Sequence, residues 1–211
     1  DMPRSLVFIF YFAAIFLQAG AYGLTFMLPR LFDSFGANEK TVGSMLMVTA
    51  CTTVVTVYFS GHLSDMFGRL RTLAVACIAI SAALFLYGVL DTVGAGLALA
   101  SLLLGFGWGL TYSLGPIVLT RLVYADERVR YITLLSVCVM AGFGLIPVLA
   151  SGFEAWGYSV RGVFHITAVL CLISAGLFFV LNGPVKAHAI NPRAEASSRI
   201  TLAALSGVLR S

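Results

Sequence analysis

Charged side chains are scarce in this 211-residue chain. Asp, Glu, Lys and Arg together make up 10% of the residues, whereas hydrophobic residues make up 60%. A soluble domain carries about 25% charged residues, so this sequence has too little charge to cover a water-facing surface. We therefore expect a lipid bilayer to surround most of the chain.

Motifs for catalysis, nucleotide binding and metal binding are also missing. The sequence has no Gly-rich Lys loop for phosphates, no nucleotide fingerprint and no recognisable Ser, His and Asp set. Its cysteines lack disulfide and zinc spacing and are interpreted as small buried residues; they are Cys51, Cys77, Cys138 and Cys171. We predict no enzyme activity, no cofactor and no metal site. Nucleic-acid binding would need a basic patch on a soluble face, which the net charge of +4 does not by itself indicate, so we predict no nucleic-acid partner.

Six apolar stretches are each long enough to span a bilayer. A spanning helix needs about 20 apolar residues, and amides in lipid must bond within their own segment, which favours helices over open strands. The predicted spans cover about residues 5–29, 41–60, 72–90, 94–118, 131–152 and 160–181. The first stretch continues through Leu28, which is too long for a cleaved secretion signal. The predicted fold class is an all-α membrane protein with six transmembrane helices.

The positions of arginine and lysine predict how the spans are oriented. Ten of the 13 Lys and Arg residues lie at the termini and in the loops after the second and fourth spans, and three lie in the other loops. Cytoplasmic segments carry this kind of excess. We therefore expect a multi-pass protein of a bacterial inner membrane with both termini in the cytoplasm.

A short charged segment separates the second and third spans. It reads GHLSDMFGRLR over residues 61–71. It resembles the signature loop of the major facilitator superfamily, whose pattern is Gly-x-Leu-Ser/Ala-Asp-x-x-Gly-Arg-x-Arg/Lys. Weaker resemblances to the same family lie at residues 105–109, 126–130 and 156–164. The resemblance as a whole extends over about residues 5–182 and implies half of a twelve-helix transporter fold. Two departures, at Ser101 and at residues 146–151, put proton-driven drug antiport in doubt.

The first and fourth spans share a local pattern. Residues 22–29 read YGLTFMLP and residues 108–114 read WGLTYSL, with Pro116 two residues further on. Such a match arises by chance in apolar helices, but these two copies lie three spans apart and enter from opposite sides. The spacing therefore predicts a 3+3 inverted repeat, as in each half of such transporters.

The family resemblance gives the charged segment a role as a conformational latch. Asp65 and Arg69 are four residues apart and would pair in a helix, while glycines at positions 61 and 68 would allow close helix approach and a tight turn. The resemblance implies that Asp65 also contacts Arg128 or Arg130, and a helix end in a second half. A simple anchor at the membrane edge is the alternative. The latch residues are Gly61, Asp65, Gly68, Arg69, Arg71, Glu127, Arg128 and Arg130.

Polar and aromatic residues of the first and fourth spans are the candidates for a substrate cavity. Polar groups are costly in lipid unless they face protein or a watery path, although helix–helix hydrogen bonding is the alternative for the threonines. The candidates are Gln18, Tyr22, Thr25, Trp108, Thr111, Tyr112 and Ser113. No acid lies in the middle of a span, so Asp33 at the outer end of the first span is the candidate for proton coupling. A solvated loop acid is the alternative for Asp33.

The predicted organisation is a bundle followed by a tail. Residues 1–182 form the N-terminal six-helix bundle, and residues 183–211 form a cytoplasmic linker with an amphipathic helix. The resemblance implies that this linker leads to a second six-helix half; a homodimer of half-transporters is the alternative.

We expect a secondary active transporter that works by alternating access and exports a small amphipathic compound or metabolite. Its expected partners are this small molecule, the lipid bilayer and the second half. Two other functions stay open. One is a facilitator or symporter importing a neutral solute such as a sugar, and the other is a non-transporting membrane scaffold or assembly partner.

Overall fold

A computed structural model describes residues 2–191, which form only helices and the connections between them. The helices are α1 (Arg4–Gly23), α2 (Leu28–Asp33), α3 (Glu39–Phe67), α4 (Arg69–Val89), α5 (Ala95–Leu122), α6 (Arg128–Ala155) and α7 (Val160–His188). A 3₁₀ segment, Leu24–Met27, joins α1 to α2. These three pieces form one span, and each longer helix forms another, so the prediction of six apolar membrane-spanning helices is confirmed.

The first span is interrupted at the repeated sequence pattern. Pro29 has no N–H for the carbonyl of Thr25, and its ring also crowds that carbonyl. The chain responds with one turn of 3₁₀ helix before α2 begins. In the fourth span, Pro116 instead lies inside a continuous α5. The two copies of the pattern therefore share their sequence but not their local helix geometry.

The charged segment is mostly helical. Residues 61–67 form the last turns of α3, and α4 begins at Arg69. The single residue between the two helices is Gly68, with φ +86° and ψ 145°, a conformation that only glycine adopts readily. The tight turn expected at Gly68 is therefore present. In contrast, no described atom lies within 4 Å of the place where a Gly61 Cβ would stand, so the close approach expected at Gly61 is not made within residues 2–191.

The packing of the helices follows the predicted repeat. The helix pairs that pack most closely are α1 with α6 and with α7, α3 with α5, α4 with α5, and α4 with α7. If the first, second and third spans exchange places with the fourth, fifth and sixth, respectively, the same five pairs are obtained. Because the spans alternate in direction, two units that lie three spans apart are inverted. The bundle is therefore a 3+3 inverted repeat.

Glycines at equivalent positions of the repeat allow equivalent helix pairs to pack closely. A Cβ on Gly109 of α5 would lie 2.8 Å from the Thr53 carbonyl oxygen and 2.8 Å from the Thr56 Cβ of α3. A Cβ on Gly23 of α1, the repeat partner of Gly109, would lie 2.9 Å from the Phe143 Cα of α6. Only glycine permits such close approach of two backbones.

The helices differ in how much of their surface the bundle covers. Of the apolar window of each span, 67% is buried in α4 but only 11% in α3 and 17% in α6. Since α3 and α6 lie on the outside of the two repeat units, each leaves a broad apolar face uncovered within the described residues.

The last helix extends past residue 182, after which the predicted linker begins. Helix α7 continues through Gly183 and Pro184 to His188, because one proline in a long helix removes a single backbone hydrogen bond. The Ile190 N–H donates to the Arg121 carbonyl oxygen at 2.8 Å, and His188 Nε2 lies 2.9 Å from the Met2 carbonyl oxygen. The amphipathic helix predicted within residues 183–211 falls largely on residues 192–211, which lie outside the described residues.

Candidate transport cavity and charge cluster

A cavity of about 480 Å³ lies between α1, α5 and α6. Sites for small molecules measure about 300–1,000 Å³, so this volume suits such a ligand. None of the described residues that line the cavity carries a charge. From α1 it is lined by Ile15, and from α5 by Trp108, Thr111, Tyr112, Gly115 and Pro116.

Three of the seven residues predicted for the cavity line it directly, namely Trp108, Thr111 and Tyr112. Tyr112 is 66% exposed, so its side chain is accessible from the cavity. Ser113 is not a lining residue, and its hydroxyl donates to the Gly109 carbonyl oxygen of its own helix at 3.1 Å. Thr25 lies in the 3₁₀ segment and is not a lining residue.

Gln18 lies behind the cavity wall, fully buried. Its side-chain amide donates to the Thr111 hydroxyl oxygen, and the Thr111 hydroxyl donates to the Gly107 carbonyl oxygen at 3.0 Å. The Gln18 Oε1 atom has no hydrogen-bond partner among the described residues. Gln18 therefore orients Thr111 rather than lining the cavity in this conformation.

Tyr22 also lies behind the cavity wall and supports a lining residue. Its ring stacks on the Trp108 ring with centroids 4.4 Å apart and planes 14° apart. These two residues occupy the same position in the repeated pattern, so the repeat brings its own equivalent aromatic residues together. The Phe143 ring closes the group, 5.8 Å from Tyr22 and 5.3 Å from Trp108.

The sequence predictions missed the wall that α6 contributes. Ser136, Met140 and Phe143 lie at positions i, i+4 and i+7, so they share one helix face. That spacing is a usable signal, but α6 is apolar on all sides and its cavity face does not stand out from its lipid face. The α6 lining residues are Leu135, Ser136, Val139, Met140 and Phe143.

The cavity extends in one direction along the helices. Trp108 and Phe143 lie near the middle of α5 and α6, whereas Pro116 lies nearer the end of α5 and Leu135 nearer the start of α6. The end of α5 and the start of α6 share one side of the bundle with the charged segment. The cavity therefore runs from an aromatic wall in the middle of the bundle toward the side that bears the charged segment.

A second, smaller cavity gathers charged residues beside the connection between α3 and α4. It measures about 290 Å³ and is lined in part by Asp65, Gly68, Arg69, Arg121 and Lys186. The Arg69 guanidinium lies close enough to both the Asp65 carboxylate and the Arg121 guanidinium to interact with their charges. The structure therefore places three predicted latch residues together and adds two cations that sequence reasoning did not select.

The remaining latch residues lie at other places on the same side. Glu127 is paired with Arg4, whose Nη2 lies 3.7 Å from Glu127 Oε2 and donates to the Leu122 carbonyl oxygen at 2.7 Å. Arg71 is exposed on α4, whereas Arg128 and Arg130 lie in the first turn of α6. The predicted contact of Asp65 with either of these two α6 arginines stays a prediction.

On the opposite side of the bundle, two ion pairs join different spans. Arg30 Nη1 lies 2.7 Å from Glu154 Oε2, which joins α2 to α6. Arg161 pairs with Asp91 and joins the start of α7 to the end of α4. Asp33 is exposed at the end of α2, and its part in proton coupling stays a prediction. Within residues 2–191, no three His, Cys, Asp or Glu side chains are grouped so that they could hold a metal ion.

Comparison with known proteins places these features in one family. The model of the Major Facilitator Superfamily matches residues 10–211. A probable 4-methylmuconolactone transporter of Cupriavidus pinatubonensis is 28% identical over 135 residues, which are 63% of this chain and 31% of that protein. The MFS-type transporter clz4 of Cochliobolus lunatus is 27% identical over 162 residues, 74% of this chain and 28% of that protein. The matched parts thus cover less than a third of the length of these two curated relatives.

A solved structure shares the fold. The inward open conformation of the xylose transporter XylE from E. coli matches with a TM-score of 0.63 and 13% identity, over 90% of this chain and 48% of that one. The family match over most of the sequence, together with the six apolar spans arranged as an inverted repeat, shows that the chain belongs to the Major Facilitator Superfamily.

Proposed function

We propose that the protein is a secondary active transporter that exports a small amphipathic compound or metabolite by alternating access. The observation that carries this proposal is the uncharged cavity of about 480 Å³, which is walled by helices from both repeat units. A site held between two inverted units can open to either side when one unit rocks against the other. The names of the two transporters, for 4-methylmuconolactone and for xylose, are in keeping with a small organic substrate.

A second six-helix half completes the site in this proposal. The uncovered apolar faces of α3 and α6 and the short coverage of the relatives support it. To test it, a cysteine replaces Tyr58, which is 83% exposed on α3, in a variant without the four native cysteines, and oxidation is followed by mass. A disulfide that doubles the mass joins two identical copies and supports a homodimer of half-transporters, whereas an unchanged mass supports a second half that covers this face.

The charge cluster is proposed as the latch that holds one side closed. Asp65 is the one acid among the described residues that line this cavity, which three cations also line, so loss of its charge leaves no carboxylate in that wall. We expect Asp65→Asn, at unchanged expression, to abolish the difference in accumulation of amphipathic compounds between cells with and without the protein. The matched control is Glu39→Gln, an exposed acid in the first turn of the same helix. Full efflux by Asp65→Asn would instead favour a simple anchor at the membrane edge, and no difference between cells with and without the wild-type protein would favour the non-transporting scaffold.

The direction of transport separates export from import. In inside-out vesicles under an imposed proton gradient, an exporter concentrates its substrate in the lumen. A facilitator for a neutral solute only exchanges it, which appears as counterflow without a gradient. Asp33→Asn should remove the gradient dependence but not the counterflow if Asp33 couples protons. Gradient-dependent accumulation that is unchanged in Asp33→Asn would exclude Asp33 from coupling.

The proposed orientation puts both termini and the charged segment in the cytoplasm of a bacterial inner membrane. His62 is exposed within that segment, so a cysteine there reports its side. A membrane-impermeant maleimide should label His62→Cys in inside-out vesicles and spare it in intact cells. The reverse labelling pattern would invert the topology.

A further inference from the structure

The chemistry of the cavity wall restricts what it can bind. Among residues 2–191, its lining includes no Asp, Glu, Lys, Arg or His. A carboxylate or ammonium group that enters such a wall loses its hydration and finds no opposite charge, which is strongly unfavourable. This half of the site therefore suits an uncharged ligand.

The inner end of the cavity is a supported aromatic surface. Trp108 and Phe143 form this end, with ring centroids 5.3 Å apart. Tyr22 stacks on Trp108 at 4.4 Å from behind, and Phe26 meets Phe143 at 6.1 Å. Because the Trp108 and Phe143 rings each rest against a further ring, this surface is held in place before a ligand arrives. A flat ring gains stacking and edge contacts on such a surface beyond the burial of its area.

Two hydroxyl groups of the wall already donate their hydrogen bonds within their own helices. Thr111 donates to Gly107 on α5 at 3.0 Å, and Ser136 donates to the Ile132 carbonyl oxygen on α6 at 3.1 Å. Each oxygen can therefore only accept from a ligand, and Thr111, which already accepts from Gln18, keeps one lone pair for it. Tyr112 lines the same cavity with a phenol that both donates and accepts. A ligand hydroxyl meets both requirements, since it donates to Thr111 or Ser136 and accepts from Tyr112.

We propose that the cavity binds a neutral, flat ring compound that bears a hydroxyl group. This inference rests on the proposed transport function, because it names the substrate class of the same cavity. A carboxylate on the same ring has no proton for Thr111 or Ser136 and no cation in the wall. An ether lacks the proton as well, and a saturated ring of the same size lacks the flat face that Trp108 and Phe143 accommodate.

Four probes of one size test the proposal with the complete protein in detergent. They are naphthol, its methyl ether methoxynaphthalene, the anion naphthoate and the saturated decalinol, and their binding is measured by equilibrium dialysis against the same detergent. We expect naphthol to bind about tenfold more tightly than methoxynaphthalene, which lacks the hydroxyl proton. Decalinol and naphthoate should also bind about tenfold more weakly than naphthol, because decalinol lacks the flat face and naphthoate brings an unpaired charge into the cavity. Equal or tighter binding of naphthoate would overturn the proposal.

Matched variants show whether the named hydroxyls carry the selectivity. Ser136→Ala should weaken naphthol binding about threefold to tenfold and leave methoxynaphthalene binding unchanged. Its control is Ser151→Ala, which also removes a hydroxyl from α6 that bonds its own helix at 3.1 Å. Thr111→Val should act like Ser136→Ala, with Thr120→Val on α5 as its control. Unchanged naphthol binding in both cavity variants would overturn the proposal.

The Asp65→Asn variant separates the ligand class from the transport function. It leaves the cavity intact, so it should bind naphthol as the wild-type protein does while losing efflux. Asp65-dependent efflux of other compounds, with no naphthol binding, would overturn the ligand class alone. Naphthol binding together with efflux that ignores Asp65 would support the ligand class and overturn the proposed latch.

Discussion

Replacing Gly109 by alanine tests how closely α5 and α3 approach each other. A Cβ at this position would lie 2.8 Å from the Thr53 carbonyl oxygen and 2.8 Å from the Thr56 Cβ. Real Cβ contacts under 3.0 Å are essentially absent from proteins, and a backbone oxygen cannot rotate away as a flexible side chain can. The two helices must therefore separate to admit the methyl group.

The size of the effect follows from a comparison with a second glycine. Overpacking a well-packed interface costs about 1–3 kcal/mol, while alanine stabilises a helix over glycine by about 1 kcal/mol. Gly144 lies inside α6, and no described atom lies within 4 Å of the place where its Cβ would stand. The helix gain is common to Gly109→Ala and Gly144→Ala and cancels between them. The difference between their free energies of unfolding is therefore expected to be about 1–3 kcal/mol, with Gly109→Ala the less stable.

Reversible unfolding in mixed detergent micelles, followed by circular dichroism, measures both free energies. Gly23→Ala provides an independent repeat of the experiment, because its Cβ would lie 2.9 Å from the Phe143 Cα in the equivalent helix pair. If Gly109→Ala proved as stable as Gly144→Ala, the α3–α5 backbones would be farther apart than described, and the argument from close approach would fail.

Three further predictions concern the charged segment, the opposite side and the buried amide. Gly68→Ala should lower the free energy of unfolding by about 1–3 kcal/mol because of its φ of +86°, whereas Gly61→Ala should not lower it; equal effects would contradict the strained turn. A double-mutant cycle on Arg30 and Glu154 should give a coupling energy of about 0.2–1 kcal/mol that falls with added salt, and a salt-independent value would argue against a surface pair. Gln18→Met should change the free energy of unfolding by less than about 1 kcal/mol, because it removes a carbonyl oxygen that has no partner among the described residues. Gln18→Glu should lower the free energy of unfolding further, because it buries a carboxylate. If thermal unfolding ranked Gln18→Glu as the more stable variant, the buried position of the Gln18 carbonyl oxygen would be refuted.

The local part of the fold was predictable from the sequence, and its helix ends were less so. The six spans follow from apolar length, and the repeat follows from the pattern around Gly23 and Gly109. The charged segment was expected to form a turn, but all of it except Gly68 continues in helices, because nothing before Gly68 interrupts the α3 hydrogen bonds. Likewise, α7 continues past residue 182, through Pro184 to His188.

The candidate site was predictable only in part. Trp108, Thr111 and Tyr112 were identified because polar and aromatic residues stand out in an apolar span. The α6 wall was missed, since its cavity-facing and lipid-facing residues are equally apolar. Arg4 was missed as the partner of Glu127, because the two residues meet only after α1 and the start of α6 are brought to the same side.

The sequence alone determined that the chain lies in a membrane, how many times it crosses, and that its two sets of three spans repeat. These properties depend on composition and on short-range pattern, which each segment carries by itself. Only the tertiary structure decided which residues meet. The stack of Tyr22 on Trp108 and the bond from Gln18 to Thr111 join spans far apart in sequence, and such contacts are set by the rotation and depth at which packed helices settle against each other.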